Sequence, residues 1–189
     1  MMDQGEYYSQ ILDHYQKIWN GIANTYLWDK GPIEKLPFNF RVIEFEPNKT
    51  RRVWTYATIG MSQELDNNPI ELHIFSSIRD TNIIELLTVV AYYHCNTKKI
   101  DLNNTINFGR PWQNKSLCEY GFISLPYLDG PIIENLELNG SNKLIKFYWL
   151  IPITEKEVDY KKLFGSEALE NEFEKTGLDY IDPSRKSIV

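Results

Sequence analysis

The sequence predicts an α+β fold: one domain over residues 1–189, with a mixed, largely antiparallel sheet and helices packed on it. Three observations carry that expectation. A β-branched and aromatic run at residues 53–62 and an apolar run at 71–77 flank Asp66-Asn67-Asn68-Pro69. Asx side chains bond their own backbone and Pro69 fixes φ, so the break is a turn and the runs are adjacent antiparallel strands. Residues 83–93 are apolar on most faces, the pattern of a helix buried across a sheet. Residues 143–153 form the longest strand and lead into the helix start Pro152-Ile153-Thr154-Glu155-Lys156-Glu157-Val158.

Tyr8, Ile11, Leu12, Tyr15, Ile18, Trp19 and Ile22 repeat at helical spacing, and Gly21 and Asn24 offer ways to end that first helix within residues 1–30. A loop through Gly31 and Pro32 follows, then a strand at 38–45 with one wetter face and a turn at Glu46-Pro47-Asn48-Lys49. Within the central pair Trp54 heads a core strand. In its neighbour Leu72 and Ile74 point one way and Glu71, His73 and Phe75 the other, leaving a face for water or a helix. Asn82 reads as the N-cap of the buried helix, with Glu85 completing a capping-box-like pair. Residues 100–122 are loop-rich, with Trp112 as a lid over the core; strands are expected near 121–125 and 132–138, and Asn139-Gly140 marks a hairpin. Thr154 and Glu157 form a capping box, Ile153 can staple to Val158, and the helix ends near Gly165. Another helix runs from Ser166 to Gly177, and the tail at 182–189 is partly packed down.

The formal charge of −6 argues against nucleic acid as a direct partner, because neutralising phosphates takes clustered Lys and Arg. It suits a basic protein partner, or simple solubility. Five Trp, twelve Tyr and nine Phe fit a core alone or a core with a binding face. Met-Met-Asp-Gln-Gly-Glu-Tyr-Tyr has no basic or apolar leader region, and no apolar run spans a bilayer. With two cysteines, Cys95 and Cys118, expected buried and reduced, the chain reads as cytoplasmic, and the Asn-x-Ser/Thr sequons at Asn48, Asn103, Asn114 and Asn139 as loop asparagines.

No phosphate loop, nucleophile elbow or metalloprotease helix is present. His14 reads as an exposed surface residue and His73 as a satisfied structural one. His94, Cys95 and Cys118 fall short of the four ligands of structural zinc, and neighbours on a helix diverge too far for a His–Cys dyad. No catalytic residue, cofactor or metal is therefore expected. Acidic clustering is the usable signal. Asp129, Glu134 and Glu137 have no Lys or Arg among them; Glu155, Glu157, Asp159, Glu167, Glu170, Glu172 and Glu174 are interleaved with Lys156, Lys161 and Lys162. Each cluster is either a solvated face or a surface that steers a basic partner.

Taken together, Trp54-Thr55-Tyr56-Ala57-Thr58-Ile59-Gly60-Met61-Ser62, Glu71-Leu72, Leu86-Leu87, residues 106–109, Leu125-Pro126, the Pro152-to-Glu157 helix start and the closing 182–189 with Arg185 resemble the suppressor-of-fused-like domain family. The resemblance covers about residues 36–189. It implies no catalytic residues. Animal members hold a transcription-factor peptide between two domains; small bacterial members are similar to immunity proteins that neutralise a toxin, often a nuclease. One domain, and an Ile-, Lys- and Asn-rich composition, favour the second role, with a cognate toxin as partner; a peptide-binding adaptor using a sheet edge is the alternative. Asp129, Glu134 and Glu137, with no basic residue beside them in sequence, are the expected toxin-facing surface.

Overall fold

A computed structural model describes residues 3–28, 35–63 and 66–189. Its centre is an eight-stranded sheet made of β1 (Ala23–Tyr26), β2 (Arg41–Phe45), β3 (Trp54–Ile59), β4 (Ile70–Ser76), β5 (Thr105–Asn107), β6 (Cys118–Ser124), β7 (Asn135–Glu137) and β8 (Leu144–Thr154). The spatial order is β1-β2-β3-β4-β8-β6-β5, with β7 also pairing β8. All pairings are antiparallel except β4 with β8, whose register runs from Ile70 opposite Lys146 to His73 opposite Trp149.

Strand alternation gives the sheet two inner faces. One, with Tyr56, Leu72, Ile74, Tyr148 and Leu150, is covered by helix α2 (Asn82–Asn96), whose Ile83, Leu87 and Val90 join the same core; Trp112 closes over it as expected. The other face carries two clusters. Ile43, Phe45, Ala57, Ile59 and Phe147 meet Ile11, Tyr15 and Trp19 of helix α1 (Gln4–Trp19). Phe75, Phe122, Trp149 and Ile151 meet Val158 of helix α4 (Glu155–Phe164) and Leu169 and Phe173 of helix α5 (Ser166–Thr176). A short helix, α3 (Pro131–Glu134), precedes β7.

The capping box at Thr154 and Glu157 is present, with both reciprocal bonds made, and Ile153 and Val158 pack in one cluster. Residues 139–140 form the turn between β7 and β8, with Gly140 at φ 80°.

Several expectations are corrected. Helix α1 ends at Asn20 in the left-handed region, where Asn48 donates to the carbonyls of Trp19 and Asn20; Ile22 lies outside, 69% exposed. The strand expected at 38–45 begins only at Arg41, and Phe38 is exposed. β2 has no wet face, because α1 covers the side assigned to water, and the open face of β4 is met by helices, the second of its two expected alternatives. Asn82 is inside α2: Thr81 is the N-cap residue and makes no side-chain cap bond, Asp80 just before it accepts the Asn82 N–H at 2.9 Å, and Glu85 pairs with Arg110. Residues 132–138 are split between α3 and β7, since Pro131 favours a first helical turn. Trp54 is half-buried, with the Arg79 guanidinium 5.5 Å from its ring centre. The loop expected through Gly31 and Pro32 lies outside the described residues.

Candidate functional site

The buried carboxylate of Glu71 organises the end of β3. Gly60 stands at φ 86°, where a Cβ would meet the Asn39 carbonyl oxygen at 3.0 Å, and this turn aims backbone donors inward. Glu71 Oε1 accepts from the N–H groups of Gly60 and Ser62 at 2.9 and 3.1 Å and from the Ser62 hydroxyl; Oε2 accepts from Thr58 Oγ1. Tyr7 donates to Ser62 at 2.8 Å, which ties α1 to the same network. Burial pushes the Glu71 carboxyl up to about 7, against the opposing pull of these hydrogen bonds. Every partner is a neutral donor holding a carboxyl in place, so the site is structural.

A second polar group lies beside Trp19 of α1 and Phe75 of β4. His73 is fully buried, and neither ring nitrogen has a hydrogen-bond partner among the described residues, so it is not the satisfied residue its strand position suggests. Its Nε2 lies 4.0 Å from Asp129 Oδ2. Burial, with the nearby Arg51 charge, lowers its pKa to about 3, so it is neutral at physiological pH. Arg51 pairs with Asp129 and lies over the rings of Trp19 and Phe75, at 5.4 and 5.0 Å from their centres. His14 is half-buried rather than exposed: its Nε2 meets the Ile133 carbonyl at 3.0 Å and its ring lies 4.7 Å from Phe147. His94 accepts the Ile100 N–H through Nδ1 at 3.0 Å, a structural role, and Cys95 and Cys118 are both free thiols. Among the described residues no group of three or more His, Cys, Asp or Glu gathers to hold a metal, and no helix is long and apolar enough to cross a membrane.

A groove of about 580 Å³ lies between α5 and the turn at 126–130. Trp149 and Ile151 of β8 and Phe173 of α5 line it together with Tyr180. The rings of Phe75, Trp149 and Tyr180 pack edge to face at 5.1 to 5.8 Å, fixing the floor. Tyr127 and Leu128, 60% and 50% exposed, form the outer wall. Glu167, Glu170 and Glu174 stand along the α5 side, since residues three and four apart share a helix face. Ser124 donates its hydroxyl to Glu170, holding that carboxylate toward the floor. The Tyr127 phenol is pushed up by burial and then by the charges of Glu170 and Glu134.

The structure separates the three expected interface residues. Asp129 has no basic neighbour in sequence, yet the fold brings Arg51 to it and leaves its side chain 3% exposed, so its charge is paired and turned inward. Glu134 is half-buried at the end of α3, near Tyr127, and Glu137 is exposed at the end of β7. In the helical cluster the interleaved lysines sit on α4, where Lys162 pairs with Asp159 and Lys161 donates to the Asn103 carbonyl and Thr105. On α5, Lys175 pairs with Glu172. Glu134, Glu137, Glu167, Glu170 and Glu174 make no ion pair among the described residues. The spacing of 167, 170 and 174 was a readable signal for one acidic helix face; the groove beside it depends on β8 and the 126–130 turn.

Fold and site together define a single-domain α+β protein with an acid-rimmed, aromatic-floored groove. The suppressor of fused protein (SUFU) family matches residues 37–186, and the chain belongs to that family. A suppressor-of-fused homologue from Neisseria gonorrhoeae FA 1090 is 32% identical, with a TM-score of 0.86 and 98% of each chain covered. Drosophila Suppressor of Fused shares the fold at 13% identity and a TM-score of 0.70; all of this chain is covered and 54% of that one. A chain of a Sufu–Fu complex gives the same identity and TM-score, with 96% of this chain and 92% of that chain covered. No curated protein matches.

Proposed function

We propose that this chain is a non-enzymatic, cytoplasmic immunity protein that binds and neutralises a cognate toxin presenting a basic surface, as a nuclease domain does. The observation that carries this reading is the groove rim: Glu167, Glu170 and Glu174 stand without cations beside an apolar, aromatic floor. A nuclease holds phosphates in a positive cleft, and an acidic partner suits such a surface. Complementary charge speeds encounter, while buried aromatic contacts set residence time. An adaptor that adds a peptide strand to the sheet is the weaker reading, because the edge strands β1 and β5 have only four and three residues.

The test is co-expression. The product of the gene beside this chain's own is expressed in a bacterial host with and without it. Growth arrest by that product alone, relief by this chain and co-purification as a complex are expected. A folded, soluble chain that neither binds that product nor restores growth overturns the proposal.

A further inference from the structure

Resting on that binding role, we propose that the groove between α5 and the 126–130 turn docks a cationic, amphipathic segment of the partner. Such a segment lays an apolar side chain on Trp149 and Phe173 and sets Lys or Arg against Glu167, Glu170 and Glu174. Shape and charge point to the same occupant. The floor is apolar and already ordered by the edge-to-face packing of Phe75, Trp149 and Tyr180, so binding requires little rearrangement there. Tyr127 and Leu128 continue the apolar surface outward, more than a lone cation needs and what a peptide side chain can use.

The polar atoms favour one sign of charge. Three carboxylates of α5 line the groove, so an acidic or neutral segment meets repulsion or leaves these charges idle. Lys and Arg suit the site because their aliphatic stems cover apolar surface while their heads stay near solvent, and an Arg head can also stack on an aromatic face. The Arg51–Asp129 pair beneath the turn gives the wall a fixed position, so the groove is preformed in the free chain.

The test uses amide and indole NMR spectra of the whole chain, titrated at low salt with two synthetic peptides of equal length. One alternates Leu and Trp with Arg; the other carries Glu for every Arg. Expected are shifts at the Trp149 indole, Ser124 and Phe173 with the cationic peptide and none with the acidic one. In the Glu167→Gln, Glu170→Gln, Glu174→Gln variant the affinity falls about tenfold or more. Shifts that map elsewhere, an unchanged affinity in the variant, or spermidine binding as tightly as the peptide overturn the proposal; the last would leave the apolar floor unused. A chain that protects cells but fails this titration refutes the docking site and leaves the immunity role standing. A chain that passes it but protects no cell refutes the role and leaves the site.

Discussion

Replacing Glu71 separates the burial of a carboxyl from the burial of its charge. Glu71→Ala removes the acceptor for the Gly60 and Ser62 N–H groups, which the backbone cannot turn away, and for the Ser62 hydroxyl. At about 1–3 kcal/mol for each of the two backbone donors left unpaired, with the hydroxyl free to rotate, the loss is roughly 2–6 kcal/mol. Glu71→Gln keeps the oxygen that accepts these three bonds. Its amide then faces Thr58, whose hydroxyl can turn toward the Leu72 carbonyl, 3.4 Å away, and accept from the amide instead. Gln is thus a mimic of the protonated acid.

Because burial raises the folded-state pKa from 4.5 to about 7, the folded protein holds this proton more tightly than the unfolded chain. The resulting stability is fully present below pH 4.5 and is lost as pH rises through 7, an effect of roughly 3 kcal/mol. Urea unfolding at pH 5 and pH 8 reads both effects. Glu71→Gln should lie within about 1 kcal/mol of the native protein at pH 5 and gain on it by roughly 2 kcal/mol at pH 8. Glu71→Ala should be much the least stable at pH 5. If Gln is as damaging as Ala at pH 5, or the gap between Gln and the native protein is the same at both pH values, the reasoning fails.

Other substitutions test the remaining contacts. Arg185→Ala strips Glu157 of a two-pronged pair at 2.6 and 2.8 Å and should cost about 3–5 kcal/mol in urea unfolding, with Arg185→Lys recovering little because an ammonium cannot reproduce the fork. Asp129→Ala leaves Arg51, 17% exposed, without its partner and should cost about 3 kcal/mol; Asp129→Lys should be worse, so melting temperature, and not partner binding alone, responds at this position. Cys95→Ala and Cys118→Ala should leave growth protection intact if no thiol chemistry is involved, and its loss in a variant with native circular dichroism would revive catalysis.

Local signals were the legible ones. Thr154 and Glu157 three residues apart, Asn139-Gly140 between apolar runs, and the length of β8 each identify an element from its own residues. Strand β1 gives no such signal: Ala23-Asn24-Thr25-Tyr26 has no apolar alternation and is a strand because β2 offers it an edge. Alternation places Glu71 opposite Leu72, on a face open to water or a helix, and does not show that the folded turn at Gly60 supplies donors that let its carboxyl be buried. The sequence clusters foretell little about which carboxylates are free. Half-buried Glu134 and the α5 residues Glu167, Glu170 and Glu174 carry no cation among the described residues, whereas Asp129 looks uncompensated in sequence only because its cation, Arg51, is remote in the chain and near in space.

The central claim is that uncompensated carboxylates at this groove recruit a basic partner. Its most direct test is the rate of association with the adjacent-gene product as ionic strength is raised, for the native chain and for the Glu167→Gln, Glu170→Gln, Glu174→Gln variant. The native rate should fall about tenfold or more between low and high salt, as the Debye length shrinks from roughly 30 Å at 0.01 M to 3 Å at 1 M, and the variant should start slower and vary less. Superimposable salt dependences for the two proteins would contradict the account.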